Sequence, residues 1–599
     1  MESTLPIEPS LETKLHFISI LKKGRVKKVA KLLKNNPQMH INWKDPNGWT
    51  PFHYACEKGH IEVFKLLFND ERVDLNQSLN VIGVTPFYLA CEKGHIEIVK
   101  ILLNDERINI NKANVDGETP FYIACEKKQI EIVKLLLNDE RINITEANKN
   151  KATPFYVACQ FGHVEIVKIL LNDERIDIMK ENNDGQTPFY IACEKKKIEI
   201  VKLLLNDQRV DINQANNNGV TSFSIVCGKG HIDIAKLLLN DKRIEVNKVD
   251  IHGWTPFYIA CEKKRVEIVK LLLHDQRVDI NFPENQIGAT PFFVAFLFQH
   301  IEIVKLLLND ARVNINKPDK KKPFYFACER GLTEMVKLLL ENEKVDVNKG
   351  ENDWETPLLI ACENGHTEVV KLLLADQRIE INKQNGYERT PLLIACQKGY
   401  PEIIKLLISD ERIDINSADD IGFTPFYCSC YSGDIEIVKL FLKDRRVDPT
   451  KAIKNGETPF FVSCQVGHIE IVKLLLNEKG VNVNEVNSDN WAPLHYACAY
   501  GYFGIVQHIL ARGRGVNLTI QNNEGETPID IGIERKNEKE KCIWESEEKF
   551  QERKKNCAKI VELLESFERD PIETKIKLRI QLDLAGMIFL FFFFFQTHF

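Results

Sequence analysis

Residues 119 to 152 read T-P-F-Y-I-A-C-E-K-K-Q-I-E-I-V-K-L-L-L-N-D-E-R-I-N-I-T-E-A-N-K-N-K-A, and their polar and apolar positions resolve into two helical runs and a polar return. Thr119 offers an N-cap hydroxyl and Pro120 the preset φ of a first helical position, so a short helix starts there. Phe121, Ile123 and Ala124 are apolar and Cys125 behaves as a small hydrophobe, which predicts a largely buried helix. Many copies then carry Gly, which accepts the left-handed conformation that ends a helix, whereas this copy has Lys128. In the second run Ile130, Ile132, Val133, Leu135, Leu136 and Leu137 cover much of a helix, leaving Glu131, Lys134 and Asn138 at i, i+3, i+7 on a face that meets water. Arg141 to Ala152 returns the chain, elsewhere through turn dipeptides such as Asp116-Gly117 and Asp184-Gly185.

The register restarts at Thr153 and Thr187, a period of about 34 residues that signals a solenoid. Starts fall at Thr50, Thr85, Thr119, Thr153, Thr187, Thr221, Thr255, Thr290, Lys322, Thr356, Thr390, Thr424, Thr458, Ala492 and Thr527, fifteen in all. The apolar surface of each unit is too wide for one partner, so every unit needs neighbours on both sides. Leu11 to Asn42 forms a helix pair without Thr-Pro, broken at Gly24, and reads as an N-terminal cap. Lys22, Lys23, Arg25, Lys27, Lys28, Lys31 and Lys34 give that cap a polar outer face; a solvated surface accounts for them, with an acidic partner or membrane surface as the sharper alternative. The predicted organisation is a flexible tail (1–10), the cap (11–49), the repeats (50–526), an interrupted C-terminal capping repeat with a charged helical insert (527–567) and an irregular apolar tail (568–599).

The unit resembles an ankyrin repeat, whose pattern is T-P-L-H-x-A-A, then G-H-x-E-x-V-x-L-L-L, then a turn to the next Thr-Pro. Two departures recur: Tyr usually replaces the His, as at Tyr88, Tyr122, Tyr156, Tyr190 and Tyr258, and N-D-E-R-I-D-I-N replaces a shorter turn after the second helix. The first puts in question the hydrogen bonds that His makes in the family. The resemblance implies an all-α ankyrin-repeat solenoid and a non-catalytic protein-protein interaction scaffold. It also implies partners along the concave face, touching the residue before Thr-Pro and the pair after the second small core residue.

Irregular copies carry the information that regular ones lack. Ser222 replaces one proline and still permits a helix start. The interval from Thr290 to Lys322 is short, and there Phe296 replaces the Cys, Gln299 the helix-ending Gly, and Leu297 and Phe298 the usual Glu-Lys pair. That junction is either a bend in the stack or a binding notch. In the last repeat Lys536 to Asn556 is inserted before Ala558 to Leu564 restores the second helix; the insert reads as a solvated, partly amphipathic helix or as a docking helix. Beyond Phe567, Ile576, Leu578, Ile580, Leu582 and Leu584 alternate with polar residues as in a strand. Leu584 to Phe595 is an unbroken apolar run, shorter than the roughly 20 residues that span a bilayer as a helix. A membrane foot, a disordered tail and a misassigned end of the coding sequence all remain open for it.

Composition narrows the classes. A net charge of −6 over 599 residues points neither to nucleic acid nor to an acidic tail. Thirteen of the 16 cysteines, from Cys56 to Cys498, share one repeat position, which stacking places about 8–10 Å apart. That is too far for an unstrained disulfide, so they read as reduced core thiols of a cytoplasmic or nuclear protein. No C-x-x-C, Walker A loop, H-E-x-x-H, G-x-S-x-G or kinase signature occurs, and the segments outside the repeats are too short for a domain, so neither an enzyme nor a cofactor is expected.

At the positions the resemblance marks for partners most copies carry hydrophilic residues, as with Glu118, Glu126 and Lys127. Three neighbouring copies differ: Phe423 and Tyr431 in one, Val466 in the next, Trp491 and Tyr500 in the third, with Tyr502 close by. Clustered rings bury much area for little entropy, so this patch is the candidate binding site for a protein or peptide, with Leu297 and Phe298 second. The bland alternative is that the rings cover the adjacent turns, and it is favoured for the solitary Trp49 and Trp254. The rival function is an elongated spacer of roughly 150 Å, at about 10 Å per repeat, or a membrane tether anchored through the apolar tail. A larger multidomain product is a third possibility. Capped ends imply a monomer.

Overall fold

Each repeat begins where the sequence places it: the Thr119 hydroxyl accepts a hydrogen bond from the Tyr122 amide at 3.1 Å, with Pro120 in the first helical turn. The computed structural model describes residues 7–79, 81–315, 322–352, 354–541 and 545–584. Among them lie 33 helices and no strand, an all-α solenoid of helix pairs. Contacts divide the chain into two units, Met1–Asn314 and Ile315–Phe599. The division falls in the short interval between Thr290 and Lys322. The first unit holds the cap and the repeats that open from Thr50 to Thr290; the second holds the rest.

Within each unit, first helices pack on first helices and second helices on second helices. The core is a row of rings and small residues repeated by stacking: Phe121, Ala124, Cys125, Val133 and Leu136 are buried, and so are their counterparts Phe155, Ala158, Cys159, Val167 and Leu170. The described cysteines are buried and free, and burial pushes their thiols well above their ordinary pKa. Lys128, Lys196, Lys264 and Gln299 end their first helices with φ of 55–63°, where other copies place Gly.

Side chains tie each repeat to the next. Where the first helix carries His, as at His53, Nδ1 accepts from the Thr50 hydroxyl at 2.7 Å and Nε2 donates to the Val84 carbonyl of the following repeat at 3.3 Å. Burial lowers the His53 pKa to about 4, so the ring stays neutral and keeps that pattern. In several of the copies where Tyr replaces His, the tie persists through a longer arm. Tyr88, Tyr325 and Tyr427 donate to Glu118, Glu355 and Glu457 at 3.0–3.1 Å, each the residue before the next repeat's first-helix cap, and Tyr156 donates to Gln186. Burial and the adjacent carboxylate both raise the pKa of Tyr88 and Tyr427, which keeps them donors.

The recurrent N-D-E-R-I-D-I-N segment supplies two more ties per junction. Asp139 grips the Arg141 guanidinium at 2.6 and 3.0 Å, and Arg141 Nη2 reaches back 2.6 Å to the Leu103 carbonyl, an open acceptor at the end of the preceding second helix. Arg175, Arg209, Arg243 and Arg277 repeat the contact. The asparagine further along reaches forward: Asn76 Nδ2 donates to the Arg107 carbonyl and its Oδ1 accepts from the Asn109 amide, both at 2.7 Å. This ladder recurs at Asn42, Asn111, Asn213, Asn247 and beyond, but Thr145 and Met179 stand in its place at two successive junctions.

The ends depart from the sequence reading. Ile7 is bridged to Met39, and Ser10 caps the first helix of the N-terminal pair, Leu11–Lys22, so residues 7–10 are fixed to the cap. The alternation from Ile576 to Leu584 does not make a strand. Asp570 caps a helix, Pro571–Gln581, whose Thr574 and Leu578, four apart, are buried. Lys575 and Arg579, also four apart, donate to the Gly513 and Ala511 carbonyls at the end of Phe503–Arg512. Among the described residues no helix is long and apolar enough to cross a membrane, and the apolar run after Leu584 lies outside them.

Two stability predictions follow from this geometry. Thr145→Asn and Met179→Asn complete the ladder, and each raises stability by about 1 kcal/mol in chemical unfolding, with slower amide exchange at Arg175 to Asp177 or Arg209 to Asp211. Lys128→Gly relieves a left-handed non-glycine residue and adds roughly 0.5–1 kcal/mol by the same measurement.

Candidate functional site

The helix Pro493–Ala499 opens from Ala492, which has no capping hydroxyl; the other half of the cap remains, with His495 Nδ1 accepting the Ala492 amide at 2.9 Å. This keeps the helix start in register and sets Tyr496 and Tyr500 one turn apart on the same side. Four rings then form a ladder. Trp491 packs on Tyr496 with centroids 4.8 Å apart, Tyr496 stacks on Tyr500 at 6.3 Å, and Tyr500 on Tyr502 at 5.8 Å. Tyr496 also meets Phe461 of the preceding repeat edge-on at 5.3 Å. Tyr502 occupies the position where other copies have His, and its hydroxyl donates to the Val466 carbonyl at 3.2 Å as His468 does to Tyr431 at 3.1 Å. Tyr502 is therefore fixed by the scaffold, whereas Tyr500 stays 51% exposed.

The opposite wall comes from the insert. The final repeat's first helix is Pro528–Asn537, and its second is lengthened at its N-terminal end into Glu547–Arg569. Arg553 anchors the connection, donating to both Glu545 oxygens at 3.0 and 2.8 Å and to Glu538 at 2.7 Å. Arg535 shares Glu538 at 3.0 Å, and Lys554 holds the Glu538 carbonyl at 2.7 Å. The Arg553 guanidinium and the Lys554 ammonium lie 5.3 and 5.4 Å from the buried Phe550 ring. The Arg553 hydrogen bond holds the Glu545 carboxyl below its ordinary pKa of 4.5.

Between the ladder and this clamp lies a groove of about 770 Å³, with Trp491, Tyr496, Tyr500 and Tyr502 on one side and Lys549, Glu552 and Asn556 on the other. One apolar aromatic face opposite mixed charges suits a peptide with a large apolar side chain and polar flanks. Among the described residues no cluster of His, Cys, Asp or Glu has the arrangement of a metal site.

The candidates named from sequence separate here. Trp491, Tyr500 and Tyr502 meet in the groove, and Val466 joins them through its carbonyl. Phe423 lies against Tyr427 at 5.3 Å and Tyr431 is 61% exposed; neither lines the groove. Leu297 and Phe298 belong to the first unit, where exposed Phe298 stacks on His300 at 5.9 Å. Phe161 holds the corresponding position, equally exposed and stacked on His163 at 6.1 Å, and was missed because it stands alone among lysine-bearing copies. Exposed Trp354 and Tyr387 near the hairpin tips were also missed, as were the insert's Lys549, Glu552 and Arg553. A charged run carries no signal of which face a groove will use. Trp254 packs on Tyr258 at 5.5 Å and Trp49 on Tyr54 at 5.0 Å, so rings before Thr-Pro fold against their own repeat.

Comparison with known proteins agrees with the architecture. The family model described as ankyrin repeats (3 copies) matches residues 11–78, 71–146, 142–216, 208–284, 249–319, 292–385, 378–453 and 427–522. No curated protein matches the chain.

Removing the clamp tests the groove's construction. Arg553→Met leaves the part-buried Glu538 and Glu545 without their shared cation, costs on the order of 2 kcal/mol, and makes the segment from Glu538 to Lys541 the first site of limited proteolysis. The depressed Glu545 pKa gives a direction in pH. The clamp's stabilisation is complete above pH 4.5 and is lost as pH falls through the lower folded-state value, so wild type comes to match Arg553→Met in that assay only at acid pH.

Proposed function

The chain belongs to the ankyrin-repeat family, and we propose that it is a non-catalytic scaffold that captures a protein or peptide segment in the groove between the Trp491–Tyr502 ladder and the insert helix. Ankyrin repeats in general mediate protein-protein interaction and are typically non-catalytic. The observation that carries the proposal is the open face of the ladder: exposed Tyr500 sits between half-buried rings and opposite a clamped charged wall. Rigid rings held by stacking bind with little loss of side-chain entropy, the property of interface hot spots. The charged wall supplies orientation and rejects a purely apolar ligand.

Other concave positions support the choice by what they lack. Glu118, Glu355 and Glu457 stand at a family contact position, yet each carboxylate accepts from a tyrosine of the preceding repeat. Binding there would cost an inter-repeat tie. Tyr431 and Phe423, in neighbouring repeats of the same unit, would extend contact to a longer partner, and Leu297 and Phe298 in the first unit form a separate secondary candidate. Buried thiols without disulfides fit a reducing compartment, cytoplasmic or nuclear.

The test compares the intact chain with Tyr500→Glu and Lys549→Glu in pull-downs from cell extract, with equal helical circular dichroism as the condition of comparison. A partner bound by the intact chain is expected to lose affinity by about 100-fold with Tyr500→Glu, the range of a hot-spot residue, and by less with Lys549→Glu. A partner that binds all three chains equally places the interaction elsewhere.

A further inference from the structure

The N-terminal cap departs from the chain's own charge pattern. The second cap helix, Val26–Asn35, packs on Ile61–Phe68 of the first repeat, as Leu11–Lys22 packs on Pro51–Lys58, so the opposite sides of the pair form an open face. In most repeats the second position of the second helix is acidic, and in many it pairs with a lysine three residues on, as in Glu62–Lys65, Glu97–Lys100 and Glu131–Lys134. Here that position is Lys27. Lys28 stands where the next copy has buried Val63, and Lys31 where it has Leu66. Lys27, Lys28, Lys31 and Lys34 are all exposed, and no Asp or Glu occurs between Glu12 and Asp45.

A solvated cap needs polarity but has no need of this arrangement. Lys27 and Lys28 sit in the first turn, at the positive end of the helix dipole, with no acid there. Lys27 and Lys31, and Lys31 and Lys34, are neighbours on the helix surface and repel. A mixture of signs would be as soluble and would strain the helix less, so the face holds unrelieved repulsion that an anionic partner removes.

The same cap exposes apolar side chains. Leu11 and Leu15, one turn apart, are 69% and 59% exposed, and their stripe continues through half-buried Ile18 to Lys22 beside Lys23 and Arg25. Exposed leucines beside lysines without a carboxylate partner, Lys22 lying also 4.9 Å from the Tyr54 ring, match a surface with an anionic layer over hydrocarbon. Nucleic acid has no acyl layer for the leucines, and Arg25 is the one guanidinium in the cluster, which leaves little for bidentate phosphate contacts. We infer that the N-terminal cap is a peripheral docking face for anionic lipid membranes, its lysines set against headgroups and Leu11 and Leu15 entering the interface. This site is separate from the aromatic groove and does not depend on it.

Sedimentation of the full chain with vesicles of 30% phosphatidylserine in phosphatidylcholine, against pure phosphatidylcholine, reads it directly. Binding to the anionic vesicles is expected to be about tenfold stronger or more and to weaken as salt rises. Lys27→Glu with Lys28→Glu should lower it at least about tenfold; this change puts acids at the helix N-terminus, so it strengthens the helix and the loss cannot come from unfolding. Leu11→Ser with Leu15→Ser leaves every charge in place and should lower binding several-fold. Equal binding to both vesicle types, binding that survives the lysine reversal, or binding of a polyglutamate peptide or duplex DNA with no vesicle binding would each overturn the inference.

Discussion

The structure depends on one constraint: a helix pair that is apolar on two sides cannot exist alone, so every repeat is held by its neighbours. Apolar stacking supplies most of the energy, but stacking between near-identical surfaces leaves register weakly specified. The directional bonds supply the register. His53 to the Val84 carbonyl, Tyr88 to Glu118, Arg141 to the Leu103 carbonyl and Asn76 to the Arg107 backbone each join groups about one repeat apart in sequence. The first three also satisfy a buried or part-buried donor or acceptor that a slipped register would leave unpaired, at about 1–3 kcal/mol apiece.

The departures from the family pattern are intelligible in these terms. Exchanging His for Tyr moves the first-helix tie from a backbone carbonyl to the side chain before the next Thr-Pro. That consumes a position the family offers to partners. The longer turn after the second helix is the source of both the arginine and the asparagine tie. The array's own pattern lapses in the repeat that opens from Ala492, whose scaffold bonds pass through His495 and Tyr502 and leave Tyr500 open.

Much of the fold was legible because it is encoded locally. Thr119-Pro120, the small residues Ala124 and Cys125, and the polar stripe of Glu131 and Lys134 are each read within one turn of helix. The ties were not legible, since an asparagine such as Asn76 announces nothing about a carbonyl some thirty residues on. The tail helix was misread because Ile576, Leu578 and Ile580 also satisfy a strand pattern, while Asp570-Pro571 marked the helix start. Of the site, one wall was visible as Trp491, Tyr500 and Tyr502. The facing wall was not, because Arg553 chooses among many acids in a charged run, and that choice is three-dimensional.

The row of buried cysteines, one in almost every repeat, makes this array keep a record of its own fluctuations. In the closed state each thiol is both shielded and held protonated by burial, and so is inert toward oxidants. A repeat that opens briefly exposes one nucleophile. If that sulfur is oxidised before the repeat closes, the added oxygen no longer fits between its neighbours, and a transient opening becomes a lasting lesion that loosens the repeats on either side. Damage in such a chain accumulates by position, repeat by repeat, beginning where the bonds between neighbours are fewest.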